Sequence, residues 1–305
     1  MALRLKHKLS SVNKRICGEY AQGLLVASQD LIRNKDEISK LNMIIAISKY
    51  FHLKLHHYTI LYEYVKRHFN KTDEVFDFGI FRIPEPGKKD FGTFIVEFMD
   101  LILPHVFPHN RYTEYLQEEG YYEQFGIKVG AGDMVVDAGA NMGVFSAYAA
   151  SKGAQVYAFE PFPRSLQYLY KTASLNRTLS GKITVIPLAL MDEKGTLQFT
   201  IDDRHLGTAS AIIKRDDKIV ELEGISLDEW VEEHRIPRID FIKADIEGAE
   251  RNLLRGATRI LRECKPKLAI CTYHLKDDPD VLENIIVTAN PGYKVYHSRH
   301  KLFAQ

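Results

Sequence analysis

Cysteine is scarce in this sequence: the 305 residues contain only Cys17, Cys264 and Cys271. Three thiols so unevenly placed give neither a disulfide framework nor a zinc site, and reduced thiols in a cytoplasmic protein are the simplest account. An excess of one charge is also missing, since 41 Lys and Arg face 40 Asp and Glu for a formal net charge of +1. Duplex-binding proteins usually carry a basic surplus, because phosphate neutralisation supplies most non-specific affinity, so the balance argues against a nucleic-acid substrate. No stretch approaches the ~20 apolar residues that span a bilayer, so no transmembrane segment is expected. The N-terminal MALRLKHKLSSVNKRICGEY is basic but has no continuous apolar run, which excludes a secretory signal. Its charge suits a solvated helix end better than an anionic membrane surface. Internal repeats and low-complexity tracts are absent. What is present, 45% hydrophobic and 27% charged residues, is the mix of a soluble globular protein.

The patterning changes near residue 130. Before it, apolar residues recur at helical spacing, as in Leu41, Ile44, Ile45, Ile47, Tyr50 and Phe51, which predicts one or two amphipathic helices over 41–69 and an earlier one over about 12–33. The segment 75–107 alternates around Pro-Glu-Pro-Gly and reads as a hairpin or an irregular cap. After 130, short apolar strands alternate with helices. Strands are expected at 134–138, 155–160, 182–190, 239–245, 267–273 and 293–298, with helices at 143–152, 163–176, 249–263 and 279–289. Between the third and fourth strands, GTLQFTI and KIVELEGISL form a β-rich excursion. Buried strands alternating with helices predict a doubly wound α/β sheet of Rossmann-like type.

In VVDAGANMGVFSAYAA, a buried strand ends in Asp137, Gly139 and Gly143 flank a tight turn, and a helix starts at once. A ligand must approach that backbone closely, and the helix N-terminus offers unpaired N–H groups. The spacing is not G-x-G-x-x-G, so the acid before the loop suits the amino end of a methionine moiety better than a pyrophosphate. The bland alternative is a tight turn with no ligand. Glu160 ends the next strand, where a carboxylate accepts hydrogen bonds from ribose hydroxyls and repels a 2′-phosphate; the bland alternative, weaker given the loop before it, is a plain surface acid. FIKADIEGAE ends a third strand in Asp245, with Glu247 in the turn and Glu250 in the first helical turn, where an acid also complements the helix dipole. LAICTYHL places Tyr273 and His274 on the same rim. His274 is the natural base, with an ordinary pKa of ~6.5, or else a satisfied structural histidine.

The motifs VVDAGANMGVFS, YAFEP, SLDEWV, DFIKADIEGAE and LAICTYHLKDDPD, taken together, resemble the FkbM family of S-adenosylmethionine-dependent methyltransferases over about 115–305. The resemblance implies a class I methyltransferase sheet with a C-terminal antiparallel hairpin over 116–305, after a helical N-terminal region, 1–115, with a short β or irregular cap. It implies S-adenosyl-L-methionine as cofactor and a hydroxyl of a sugar or secondary metabolite as acceptor. By it, Asp137, Gly139, Asn141 and Gly143 line the methionine and ribose side, Glu160 the ribose and Phe162 the adenine. Asp245, Glu247 and His274 face the methyl group and the acceptor, with Asp245 also against the cofactor. Two departures stand out. Asn141 replaces a glycine common in such loops, and ITVIPLAL ends without an acid, leaving the adenine amine to backbone near Leu188 and Ala189. The hairpin closes over only SRHK, which puts substrate contact there in doubt.

No tight metal-ligand spacing is visible, so no metal site is expected, although Asp245, Glu247 and His274 offer oxygen and nitrogen donors. The rivals are a non-catalytic nucleotide-binding or assembly protein of the same fold, and an NAD-dependent dehydrogenase. The intact acids at 137, 160 and 245 weigh against the first, and the missing G-x-G-x-x-G against the second. The apolar N-terminal region is expected to pack on the sheet or on a second subunit and to cover the acceptor crevice, an arrangement open to a homodimer.

Overall fold

A computed structural model describes residues 69–70, 73–87, 121–201 and 218–305, together with Ser28, Gln29, Ile32, Asp90, Phe94 and Glu97. Of the helix expected over 12–33 only Ser28, Gln29 and Ile32 are described, and they are helical. Of 41–69 only Phe69 is described, and it lies in a strand; the rest of both, and a homodimer built on them, lie outside the described residues. The first described strands, β1 (Phe69–Asn70), β2 (Val75–Asp77) and β3 (Arg82–Pro84), form a small antiparallel sheet. Its β2–β3 turn falls at 78–81, ahead of the Pro-Glu-Pro-Gly around which the apolar alternation centres, and Asp77 accepts the Gly79 N–H there at 2.8 Å. Asp and Gly supply this turn locally, whereas prolines cannot donate to a ladder.

The main sheet follows the predicted alternation. Strand β4 (Met134–Ala138) leads through α1 (Val144–Ser151) to β5 (Gln155–Phe159), and α2 (Pro163–Leu175) leads to β6 (Lys182–Ile186). The expected long third strand splits at Pro187, which has no N–H for the ladder. The chain then leaves the main sheet for β7 (Ala189–Met191), β8 (Gly195–Ile201) and β9 (Lys218–Ser226), a separate sheet in the order β7-β9-β8. This is the β-rich excursion, and it ends in α3 (Leu227–Glu233), started by a Ser226–Glu229 capping box. The chain returns in β10 (Phe241–Ala244). The single helix expected next is two, α4 (Glu250–Arg255) and α5 (Thr258–Glu263). A Cβ on Gly256, between them, would lie 2.1 Å from the Met191 carbonyl oxygen. Then come β11 (Lys267–Cys271), α6 (Asp278–Ala289), β12 (Val295–His297) and β13 (Lys301–Ala304).

Among the described residues the main sheet has seven strands in the order β12-β13-β11-β10-β4-β5-β6. The five from β11 to β6 are parallel, and β13 is antiparallel to both β11 and β12. This is the Rossmann-like class I arrangement with a C-terminal antiparallel hairpin. Period-two alternation divides its side chains between two cores. Val135, Phe241 and Ala269 face α1, α2 and the β2–β3 hairpin, with Phe76, Ile83 and Phe94 in the same core. Val136, Ile242 and Ile270 face α3 to α6. Trp230, the sole tryptophan, packs edge-on against Tyr157 and Phe159 at 5.0 and 4.9 Å. Among the described residues no helix is long and apolar enough to cross a membrane.

Trp230 is 2% exposed, so truncation leaves a cavity that the surrounding aromatic rings cannot close. Trp230→Ala should lower the unfolding free energy by about 3–5 kcal/mol, read by far-UV circular dichroism in urea.

Candidate active site

The β4–α1 loop is built so that backbone, not side chains, forms its floor. Gly139, Asn141 and Gly143 have φ of 72°, 48° and 84°, in the left-handed region that glycine and asparagine tolerate best. A Cβ on Gly139 would sit 2.0 Å from the Asp245 carbonyl oxygen, so no other residue fits. The N–H groups of Gly139 and Ala140 both donate to the Phe159 carbonyl at 3.0 Å, tying the loop to the end of β5. Glu160, 4% exposed, accepts the Asn141 N–H at 2.9 Å and the Phe162 N–H at 2.9 Å. Burial pushes its pKa up to about 7 against those two hydrogen bonds.

Asp137 is wholly buried beneath this loop. Its carboxylate meets the Lys243 ammonium at 3.0 Å and accepts the Ser146 hydroxyl at 2.6 Å. Lys243 also donates to the Gly139 carbonyl at 2.8 Å. Burial opposes the Lys243 charge, but Asp137 and Asp245 outweigh it and raise its pKa. Phe162 and Ala189, expected at the adenine, belong to one apolar cluster with Phe199 and Ala249. The Leu188 N–H is taken by the Ile186 carbonyl at 2.9 Å.

At the ends of β10 and β11 the acids gather around one ring. Asp245 accepts the Tyr122 hydroxyl at 2.7 Å and the Tyr273 hydroxyl at 3.2 Å. His274 Nε2 lies 3.6 Å from Asp245 Oδ1 and 4.0 Å from Glu247 Oε1, while Nδ1 lies 3.1 Å from Glu250 Oε1. Burial alone would lower the His274 pKa, but Glu250, Asp245 and Glu247 together raise it to about 9. Burial would raise that of Asp245, but Lys243, His274 and Lys301 carry it below the usual carboxylate range. One donor atom each from Asp245, Glu250 and His274 lies within 4.8 Å of the others, a spacing open to a divalent cation. A protonated His274 supplies the positive charge such an ion would bring, and Glu250 stands nearer the ring than Glu247 does.

The structure thus brings Asp137, Gly139, Asn141, Gly143, Glu160, Asp245, Glu247 and His274 to one carboxyl edge, with Phe162 and Ala189 beside it. It adds residues that sequence reasoning passed over. Glu97, from the N-terminal region, accepts the Asn141 side-chain amide at 2.7 Å, and its pKa is pushed up to about 8 by burial. Tyr122 lies with the Lys301 ammonium 4.4 Å and the Lys243 ammonium 5.3 Å from its ring centre. Lys243 and Lys301 had a readable signal, a cation inside an otherwise apolar buried strand. Glu97 and Tyr122 had none, because their partners are distant in the chain.

Removing one member of a buried ion pair strands the other charge, which costs more than the pair contributes. Lys243→Met should therefore lower the urea-unfolding free energy by about 3–5 kcal/mol, and adding Asp137→Leu should recover much of that loss. Equal stability of wild type and Lys243→Met would show that the pair does not hold the edge together.

Comparison with known proteins bears on this geometry. The family model described as the methyltransferase FkbM domain matches residues 137–295. The chain is 30% identical over 154 residues to the methyltransferase sdnD of Sordaria araneosa, covering 40% of this chain and 59% of that protein. It is 30% identical over 165 residues to the hexuronic acid methyltransferase AglP of Haloferax volcanii, covering 52% and 62%. It is 26% identical over 167 residues to the 31-O-demethyl-FK506 methyltransferase FkbM of Streptomyces tacrolimicus, covering 44% and 63%. The chain thus spans about six tenths of the length of these curated relatives. A crystal structure of methyltransferase FkbM from Methylobacillus flagellatus is 19% identical, with a TM-score of 0.47 over 85% of this chain and 65% of that one. The matched model runs from the acid beneath the glycine loop through both clusters of carboxylates and past His274, over more than half of the sequence. This chain belongs to the methyltransferase FkbM domain family.

Proposed function

We propose that this chain transfers a methyl group from S-adenosylmethionine to a hydroxyl oxygen of a sugar or another hydroxylated metabolite. The observation that carries the reading is Glu160, a buried carboxylate fixed by two backbone N–H groups beside a loop that admits no side chain at Gly139. A carboxylate has about four lone-pair sites, so two remain for a pair of ribose hydroxyls. Asp137, Asp245, Glu97 and Glu160 make the surroundings acidic, which suits a cationic cofactor, and Phe162 with Ala189 offers an apolar wall for adenine. Relatives named for a hexuronic acid and for 31-O-demethyl-FK506 support a hydroxylated acceptor.

When bound, the cofactor supplies a methyl group activated on a sulfonium centre. The chain must then hold the acceptor oxygen within ~3–3.5 Å of that carbon and remove its proton. Asp137 and Lys243 are positioning residues that fix the loop from below. Asp245, kept ionised, accepts a hydrogen bond from the acceptor and orients it. His274 takes the proton, and Glu247 and Glu250 stabilise the imidazolium that results.

Charge-assisted hydrogen bonds contribute ~1.5–3 kcal/mol each. Glu160→Ala should therefore weaken S-adenosylhomocysteine binding at least ~10-fold in calorimetric titration, and unchanged affinity would remove Glu160 from the site.

Since His274 is held protonated up to about pH 9, its basic form grows as pH rises. Turnover of an acceptor found by screening hydroxylated sugars should climb roughly tenfold per pH unit above 7 and level off near 9. His274→Ala should lose ~100-fold in turnover and lose that slope, with cofactor affinity intact. A flat wild-type profile would instead leave His274 as a fixed cation and give the proton to Asp245.

A further inference from the structure

A cleft of about 500 Å³ opens beside the site, between the end of β11, the start of α6 and the β12–β13 turn. Its walls include Tyr273, Lys276, Asp280, Arg299 and His300. Tyr273 belongs to both places: it lines the cleft, and its hydroxyl donates to Asp245 at 3.2 Å. Its ring stands 4.2 Å from that of His274 on one side and 5.9 Å from that of His300 on the other. A molecule seated in the cleft and extending past Tyr273 reaches the acids proposed to receive the acceptor hydroxyl.

The cleft differs from the reaction centre in the sign of its charge. Among the described residues Lys276 and Arg299 make no ion pair or hydrogen bond. By contrast, Arg251 nearby is taken by Asp277 and Asp278, and His297 pairs with Glu283 at 2.6 Å. Asp280 is the one acid among the lining residues. The first turn of α6, a twelve-residue helix, adds the positive end of its dipole. His300 is held toward its neutral form, first by burial and then by Arg299 and Lys301.

We infer that this cleft is an anion subsite that selects an acceptor carrying a carboxylate as well as its reacting hydroxyl. The inference rests on the methyl-transfer reading and adds to it the chemical class of the acceptor and the orientation in which it binds. Asp245, Glu247 and Glu250 repel a carboxylate at the reacting end, whereas Lys276 and Arg299 attract one at the outer end. The two fields together admit the acid in one direction only, hydroxyl inward. Charge complementarity of this kind governs orientation and choice of partner more than total affinity.

Calorimetric titration with D-glucuronate and D-glucose tests this, with the protein free and loaded with S-adenosylhomocysteine. Glucuronate should bind at least ~10-fold more tightly than glucose, and Lys276→Met/Arg299→Met should abolish the difference while leaving S-adenosylhomocysteine affinity unchanged. In parallel, the NMR titration of His300 should move to higher pH when glucuronate is added and stay in place with glucose. Equal binding of the two sugars, binding of neither, or a preference that survives the double substitution overturns the anion subsite. Failure of S-adenosylhomocysteine to bind, with the glucuronate preference present, counts against the methyl-transfer reading and not against the subsite.

Discussion

A buried lysine between two carboxylates holds the carboxyl edge of the sheet together. Lys243 and Asp137 stand directly opposite each other on the paired strands β10 and β4, so the register itself aligns them. From there the ammonium reaches up to the Gly139 carbonyl and sideways toward Asp245. Charge withdrawn from water is stabilised only when every partner is in place, which makes the arrangement nearly all-or-none. The glycine loop, the strand end beneath it and the acid on the next strand therefore move as one unit. Ser146 extends the unit into α1 by closing on the second oxygen of Asp137.

Around that anchor the molecule separates charge over a short distance. The inner edge concentrates Asp137, Glu160, Asp245, Glu247 and Glu250, and the described part of the N-terminal region adds Glu97. Burial makes full ionisation of such a group costly, and the structure answers in three ways. Lysines with buried side chains offset Asp137 and Asp245. An imidazolium sits among Asp245, Glu247 and Glu250. Glu97 and Glu160 are left with pKa values near neutrality, ready to respond when a cation arrives. Beyond Tyr273 the sign reverses.

The sheet was largely legible in the sequence because its signal is local. MVVDA, QVYAF and KLAIC are apolar runs of strand length closed by turns, and the loops that follow carry the glycines and acids that topology then gathers at one edge. The errors have equally local causes. Pro187 cuts a strand that hydropathy alone extends, and the helix is interrupted at Gly256, where the Met191 backbone passes too close for a side chain. The site was half legible. Acids at strand ends announce themselves, but Tyr122 lies 123 residues from Asp245, and Glu97 lies 44 from Asn141. Nothing in the flanking sequence of either residue marks its destination. The imidazolium state of His274 was also out of reach, since it depends on Glu250 closing on Nδ1 and not on the residue's place after a strand.

The position of β13 has a consequence for vectorial synthesis. Of the strands in the main sheet it leaves the ribosome after all the others, yet it lies inside the sheet, between β11 and β12. Until it arrives β12 has no hydrogen-bonding neighbour, and the outer face of β11 is an unpaired edge able to recruit strands from other chains. The same segment delivers Lys301 to the ring of Tyr122, and so to the hydroxyl that binds Asp245. A nascent chain can therefore assemble the parallel core while its reaction centre is still incomplete. Sheet closure and completion of the site coincide in one late insertion, so a chain arrested before that step exposes an aggregation-prone edge and lacks a finished site.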